Sequence, residues 1–245
     1  MRAALITGAT SGIGLACART FAAAGWGVAL VGRSEDGLAA AAADLRGEAV
    51  TVCGDVALPR TNQDAVAAAV KRFGRLDAVV GNAGVTLAKS VDETTEPELE
   101  HLIAVNLKAL VHLAQAAHGA LGQTRGSFTV MASNKGLVAQ RRSPVYVATK
   151  GAAIQRARAL ALDWAPEGIR VNAICPGLVD TRMLERFVTA FPDAGAARRE
   201  LVAEQPLGRL ARPSECAEVA LFLASPASSF ITGVALPVDG GFTAQ

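Results

Sequence analysis

The chain has 245 residues, a mass of 25.1 kDa and 24 basic against 22 acidic side chains, a formal charge of +2. Hydrophobic residues make up 51% and mean hydropathy is +0.31, which suits a buried core and excludes a disordered or collagen-like chain. The small positive surplus and 4% aromatic residues argue against a basic nucleic-acid binder or a base-stacking surface, so no nucleic-acid partner is expected.

In chain order, Ala3–Thr7 predicts a first strand, and Gly12–Ala24 a helix behind a glycine-rich turn. Val28–Val31, Ala49–Val52, Leu76–Val80, Ser127–Ala132, Ile169–Ile174 and Val234–Val238 predict further strands. They are short, and several are apolar on both faces, as strands covered by helices on both sides are. The helix-period segments between them are Glu35–Leu45, Pro59–Phe73, Pro97–Leu121, Pro144–Trp164 and Pro213–Leu223. Thr95-Glu96-Pro97-Glu98 has capping-box spacing, and Ser143-Pro144 offers an N-cap before a first-turn proline. Strand and helix in alternation imply right-handed crossovers and a doubly wound parallel sheet of about seven strands, an α/β fold. No repeat or linker divides residues 1–245, so one domain is expected. The stretch Gly177–Arg209 contains no predicted strand and is expected to act as a substrate lid.

The cysteines at 17, 53, 175 and 216 form no Cys-x-x-Cys pair, so neither a zinc clip nor a dithiol centre is expected. Cys175 reads as packing. The N-terminus turns glycine-rich before a signal-peptide core develops, and no apolar stretch reaches membrane-span length. A reduced, cytoplasmic protein with no membrane partner is the expectation. His101, His112 and His118 have no metal-ligand spacing and read as solvated positions on one helix; no metal site is expected.

Thr7-Gly8-Ala9-Thr10-Ser11-Gly12-Ile13-Gly14 runs from the first strand into the first helix. Gly8 suits a tight turn, Gly12 the close approach of a pyrophosphate, and Gly14 close packing of helix on strand. The helix N-terminus adds free N–H groups and its positive dipole end. No Gly-Lys-Ser/Thr follows, so this is not a P-loop. A plain glycine-rich turn is the alternative.

Tyr146 is the only tyrosine, and Lys150 follows four residues later. On a helix the two share a face, about 6 Å apart. An ammonium there favours the phenolate; moving a tyrosine from about pKa 10 to about 7 takes roughly 4 kcal/mol. Such a phenol can take or give a hydroxyl proton. Ser133 lies just past the strand ending at Ala132, where open parallel sheets bind ligands, and its hydroxyl can bond a substrate oxygen. Asn106 stands in an apolar helical stretch and must find partners. A solvent-facing Tyr–Lys pair, an ordinary strand-end serine and a helix-interface asparagine are the structural alternatives.

Gly54-Asp55-Val56, Gly81-Asn82-Ala83-Gly84, Pro176-Gly177 and Val238-Asp239-Gly240-Gly241-Phe242 complete an ordered set of marks. With TGxxxGxG at 7–14 and YxxxK at 146–150, the chain resembles the short, single-domain type of the short-chain dehydrogenase/reductase family, over essentially its whole length. The resemblance implies a Rossmann fold and an oxidoreductase moving a hydride between NAD(P) and a secondary alcohol or ketone. It implies Tyr146 as general acid/base, Ser133 as the substrate-orienting hydroxyl and Lys150 as a binder of the nicotinamide ribose, with the charges of Lys150 and of the oxidised nicotinamide favouring the phenolate between them. Asn106 would hold a water joining Lys150 to solvent. Gly8, Thr10, Ser11, Gly12, Ile13 and Gly14 would cradle the cofactor phosphates, and Asp55 and Val56 would touch the adenine. Asn82, Ala83 and Gly84 would line the cofactor at the strand ends. Pro176, Gly177, Val179 and Thr181 would approach the carboxamide and phosphates. Members commonly assemble as tetramers, here through the helix carrying Arg156 and Arg158, so a homotetramer or homodimer is expected. Gly81 stands where the family usually has asparagine, which puts local bracing in doubt.

Gly32 ends the second strand, where an acid would accept the ribose hydroxyls of NAD. Arg33 and Ser34 follow, and an arginine there accommodates the 2′-phosphate of NADP. One charge-assisted contact is worth about 1.5–3 kcal/mol, roughly 10- to 150-fold. NADP(H) is therefore expected over NAD(H), with adenine stacking by Arg33 as the alternative. Lys135, Arg141 and Arg142 could draw an acidic substrate or simply be solvated. Met183, Leu184, Phe187 and Phe191 give the 177–209 stretch an apolar face for a partly hydrophobic substrate. A 3-oxoacyl thioester reductase of fatty-acid type is the second reading, although Asp163 and Glu167 oppose docking of an acidic carrier protein. A non-catalytic cofactor sensor is the third.

Overall fold

A computed structural model describes residues 1–245. Its strands are β1 Ala3–Thr7, β2 Gly27–Gly32, β3 Ala49–Cys53, β4 Ala78–Gly81, β5 Ser127–Met131, β6 Arg170–Pro176 and β7 Ala235–Val238. They form one seven-stranded parallel sheet in the order β3-β2-β1-β4-β5-β6-β7. The helices are α1 Gly12–Ala23, α2 Glu35–Ala43, α3 Pro59–Phe73, α4 Glu96–Ile103, α5 Ala109–Thr124, α6 Pro144–Trp164, α7 Arg182–Val188, α8 Ala194–Ala203 and α9 Pro213–Ala224.

Successive strand side chains alternate between two cores. Leu5 of β1 joins residues of α3, α5 and α6, whereas Ala4 and Ile6 join residues of α1, α2 and α9. Every residue of β1, β2, β4 and β5 is buried, which is why these runs are apolar on both faces. The edge strands β3 and β7 are partly exposed. The strand order reverses between β1 and β4, and a ligand crevice opens at the carboxyl ends of strands at such a switch point.

Several boundaries differ from the sequence expectation for identifiable reasons. β4 starts at Ala78, because Asp77 turns its carboxylate onto the Ala3 N–H at 2.9 Å and pairs with Arg75. The Pro97–Leu121 segment is not one helix: a π-helical turn, Ala104–Lys108, separates α4 from α5. At the start of α4, the Glu98 carboxylate accepts from both the N–H and the hydroxyl of Thr95 at 2.9 Å. At the start of α6, Ser143 stands at the N-cap but its hydroxyl makes no capping bond and is buried without a partner. The histidines do not share one helix, and His101 is exposed as expected whereas His112 is not. His101 lies on α4; on α5, His118 stacks on Trp164 at 4.7 Å and meets Glu167 at 2.8 Å, and His112 Nδ1 is buried without a partner. Residues 177–209 hold α7 and α8, and Leu184, Phe187 and Val188 form a small apolar cluster apart from the two sheet-face cores. No helix is long and apolar enough to cross a membrane.

Candidate active site

β1 runs into a turn where Gly8 and Gly12 take φ of +65° and +53°, the left-handed region open to glycine. Gly14 lies in the first turn of α1, and a Cβ there would stand 2.2 Å from the Gly8 carbonyl oxygen. Only glycine lets the helix sit that close to the strand end. Ser11 is the N-cap of α1 but makes no capping bond, and the first turn carries no acid. The first N–H groups of α1 have no intrahelical partner. A helix start with free donors, a free hydroxyl and no acid fits a pyrophosphate.

Thr7 clamps this loop, a role the sequence reading did not assign it. Its hydroxyl accepts the N–H groups of Asn82 and Ala83 at 3.0 Å, and Asn82 Nδ2 donates to the Thr7 carbonyl at 2.9 Å. These bonds tie the end of β4 to the end of β1. They also resolve the doubt over Gly81. Asn82 does the bracing, and a Cβ on Gly81 would stand 2.6 Å from Leu110 Cδ2.

Ser133 follows the end of β5, while α6 carries Tyr146 and Lys150. Ser133 Oγ accepts the Lys135 N–H at 3.1 Å, and its hydroxyl lies near enough to the Tyr146 phenol to favour the phenolate. Lys150 Nζ donates to the Met131 carbonyl at 3.0 Å and lies 5.8 Å from the centroid of the Tyr146 ring. Burial pulls the Lys150 ammonium down to about 8; Cys175 acts upward and Arg156 downward. Burial pushes the Tyr146 phenol up, and Ser133 opposes it. Burial thus sets the direction in the chain by itself; the expected lowering of the phenol rests on Lys150 together with the positive charge of an oxidised nicotinamide. Cys175 is fully buried, and burial pushes its thiol up to about 11, opposed by the nearby Ser133 main chain. That is the packing residue expected.

Asn106 lies in the π turn, buried. Its Oδ1 accepts the Val85 N–H at 2.9 Å, and its Nδ2 donates to the Val85 carbonyl at 2.9 Å and to Thr149 Oγ1 at 3.2 Å. Thr149 in turn donates to the Tyr146 carbonyl at 2.8 Å. The asparagine thus fastens the segment after β4 to the turn of α6 that bears Tyr146 and Lys150. Gly84 abuts both: a Cβ there would lie at ordinary contact distance, 3.4 Å from Asn106 Oδ1 and 3.5 Å from Lys150 Nζ.

One cavity of about 140 Å³ joins Ile13, Asn82, Gly84, Ser133, Tyr146, Lys150, Pro176, Gly177, Val179 and Thr181. Lys135, Leu178, Met183, Leu184 and Phe187 also line it. Thr86, Asn134 and Gln140 line it too, although no motif marks them. Thr181 caps α7, and its methyl lies 3.1 Å from where a Cβ on Gly12 would be, so α7 begins directly over the glycine loop. Val179 pairs with Ala211 in a parallel bridge.

The remaining candidates lie outside this cavity. Gly8, Thr10, Ser11, Gly12 and Gly14 belong to the loop, and Ala83 follows the end of β4. A Cβ on Gly32 would stand 2.9 Å from Thr10 Cγ2. Arg33, just past β2, is exposed, and Ser34 caps α2 by accepting the Gly37 N–H at 3.1 Å. Asp55 accepts the Ala57 N–H at 2.9 Å, and the Val56 carbonyl accepts from Asn62 at 2.8 Å. Arg141 and Arg142 are exposed and do not line the cavity; Arg142 pairs with Glu93. Lys135 does line it.

A family described as enoyl-(acyl carrier protein) reductase matches residues 8–243. L-fucose dehydrogenase of Oryctolagus cuniculus is 39% identical over 238 residues, 97% of this chain and 83% of that protein. The solved structure of levodione reductase superimposes with a TM-score of 0.96 at 30% identity, covering 99% of this chain and 98% of that one. A 3-ketoacyl-(acyl-carrier-protein) reductase from Brucella melitensis, complexed with NADH, gives 0.90 at 31% identity, again over 99% and 98%.

Proposed function

The chain belongs to the short-chain dehydrogenase/reductase family and is a nicotinamide-dependent oxidoreductase of secondary alcohols and ketones, and on that premise we propose how its residues divide the work. Ser133 and Tyr146 hold the substrate oxygen. Tyr146 gives its phenolic proton to that oxygen when a carbonyl is reduced and takes the proton back when an alcohol is oxidised. When bound, the nicotinamide gives or accepts the hydride and, in its oxidised form, adds a positive charge. Lys150 binds the neighbouring ribose, and its own charge also favours the phenolate. The observation that carries this assignment is the meeting of Ser133, Tyr146 and Lys150 at one cavity beside the glycine loop. Asn106 positions the turn that bears two of them. Its side-chain amide is already engaged, so a water relay to Lys150 would use the main chain of the π turn.

Gly8, Thr10, Ser11, Gly12, Ile13 and Gly14 take the pyrophosphate, and Asp55 and Val56 the adenine. Asn82, Ala83, Gly84, Pro176, Gly177, Val179 and Thr181 border the nicotinamide half. Residues 177–209 work as a lid on one domain, 1–245. NADP(H) is favoured over NAD(H): Gly32 offers no carboxylate, and Arg33 is exposed with no salt bridge. The NADH bound to the Brucella neighbour weighs the other way. Exposed Leu162 and Phe230 support contact between copies, as a homotetramer or homodimer. Four unpaired cysteines suit a reducing, cytoplasmic setting.

Titration of NADPH and NADH side by side, at fixed ionic strength, tests the cofactor assignment. A preference for NADPH above about tenfold supports the Arg33 contact. Equal binding, or a preference for NADH, overturns it. A 3-oxoacyl thioester is the second reading for the substrate, favoured by the same neighbour. Turnover of simple ketones at least as efficient as that of acetoacetyl thioesters rejects it.

A further inference from the structure

Lys135 stands two residues after Ser133, in the 3-10 turn Asn134–Gly136. It is 9% exposed. Its ammonium lies 3.7 Å from the centroid of the Phe242 ring and makes no salt bridge and no side-chain hydrogen bond. Nor is the residue sealed off, since Lys135 is among the residues lining the same cavity as Ser133, Tyr146 and Lys150. No aspartate or glutamate lines that cavity; its only charged side chains are Lys135 and Lys150. The acids that act on Lys135 from outside are Glu204 and Asp239. Asp239 is already engaged, accepting from the Gly241 N–H at 3.2 Å and from the N–H and hydroxyl of Thr243 at 3.0 and 2.8 Å. Glu204, at the C-cap of α8, is exposed to solvent.

A cation drawn out of water is costly unless an anion or a ring face offsets the loss. Phe242 supplies the ring face, but no carboxylate of the chain closes the pair. Desolvation accordingly holds the Lys135 ammonium below its ordinary range, as it does for a charge awaiting a partner. Lys150 donates to the Met131 carbonyl and is given to the cofactor ribose and the Tyr146 phenol, so the cation left for a charged group of the substrate is Lys135.

We infer that Lys135 is a specificity-determining anion subsite, and that the substrate is an oxo or hydroxy acid whose carboxylate meets Lys135 while its carbonyl or hydroxyl meets Ser133 and Tyr146. One ammonium balances one charge, which favours a single carboxylate over a dianionic phosphate ester. Phe242 holds the ammonium in place against the cavity wall. This inference rests on the oxidoreductase assignment for the identity of the reacting group, and its own test does not depend on turnover.

Methyl-ketone acids of increasing length, from 4-oxopentanoate to 7-oxooctanoate, are titrated against their carboxamides by calorimetry. The protein is saturated with oxidised cofactor, which cannot reduce a ketone. The best acid is expected to bind about 10- to 150-fold more tightly than its amide, the range of one charge-assisted contact. In Lys135→Met the ratio falls to within about twofold, because the acid loses affinity, and Lys135→Arg keeps most of the preference. Acid and amide binding alike across the series, a ratio unchanged in Lys135→Met, or no binding by either series would each overturn the subsite. If Lys135 only pins Phe242, both variants lose melting temperature and weaken acid and amide together, which also overturns it. Turnover with reduced cofactor is read separately. Acids that bind through Lys135 but are not reduced would contradict the roles given to Tyr146 and Lys150 and leave the anion subsite standing.

Discussion

Asn106→Ala removes the side chain that fastens the segment after β4 to the catalytic turn of α6. Three hydrogen bonds go, of 2.9, 2.9 and 3.2 Å. The Val85 N–H and carbonyl then lose their partners in a part-buried position. A buried polar group left unpaired costs about 1–3 kcal/mol. Water entering the vacated polar space recovers part of that. We expect about 2–4 kcal/mol less unfolding free energy, read from urea melts with an unchanged m-value. At this chain length each kcal/mol lowers Tm by roughly 2–4 °C. Tyr146 and Lys150 lose a shared anchor, so kcat should fall more than cofactor affinity does. Asn106→Asp supplies the finer test. Its carboxylate can still accept the Val85 N–H but faces the Val85 carbonyl, which raises its pKa in the folded chain. Below that pKa the protonated acid donates to the carbonyl, so the deficit against the parent shrinks as pH falls and grows as pH rises through it. A loss under about 0.5 kcal/mol in Asn106→Ala, or an Asn106→Asp deficit that deepens toward low pH, refutes the bracing role.

Arg33→Ala should weaken NADPH by about 10- to 150-fold and leave NADH unchanged; equal effects on both would make Arg33 an adenine contact only. Gly14→Ala puts a Cβ 2.2 Å from the Gly8 carbonyl oxygen and 2.5 Å from Asn82 Nδ2. Overpacking of this kind costs about 1–3 kcal/mol, so unfolding and cofactor titrations should both worsen, and retention of both sinks the close-packing argument. Lys150→Met removes a cation that favours the phenolate, so the rising limb of alcohol oxidation against pH should move to higher pH. With Lys150 at about 8 in the folded chain, the unfolded chain holds more protons above that value. The parent should therefore gain stability from about pH 8 to about 10, and Lys150→Met should flatten that rise; an unaltered slope contradicts the buried ammonium.

The sheet was legible because its central strands are buried on both faces, so their apolar runs carry little else. The glycine loop and the Tyr146–Lys150 pair were legible because each lies within a few residues of chain. The π turn was not. Its sequence, Ala104–Lys108, has an ordinary helical pattern, and the widening is tied to bonds from Asn106 to Val85 and Thr149, 21 and 43 residues away. Thr7 was visible within the glycine motif, but its task depends on Asn82 and Ala83, which only the sheet brings near. Spacing reveals the lysine beside Tyr146 but not the burial that pushes its phenol up in the chain by itself. Lys135, Arg141 and Arg142 were alike as sequence. Burial against Phe242 separates the first from the other two.

Tyr146→Phe deletes one hydroxyl and leaves the chain with no tyrosine, so no other phenol can take over the chemistry. Turnover and cofactor affinity should be measured on the same preparation. If Tyr146 is the general acid/base, turnover falls about 10²- to 10⁴-fold while the cofactor Kd stays within about twofold. Turnover that survives, or turnover and cofactor binding lost together, would contradict the role of Tyr146 as the proton donor and acceptor.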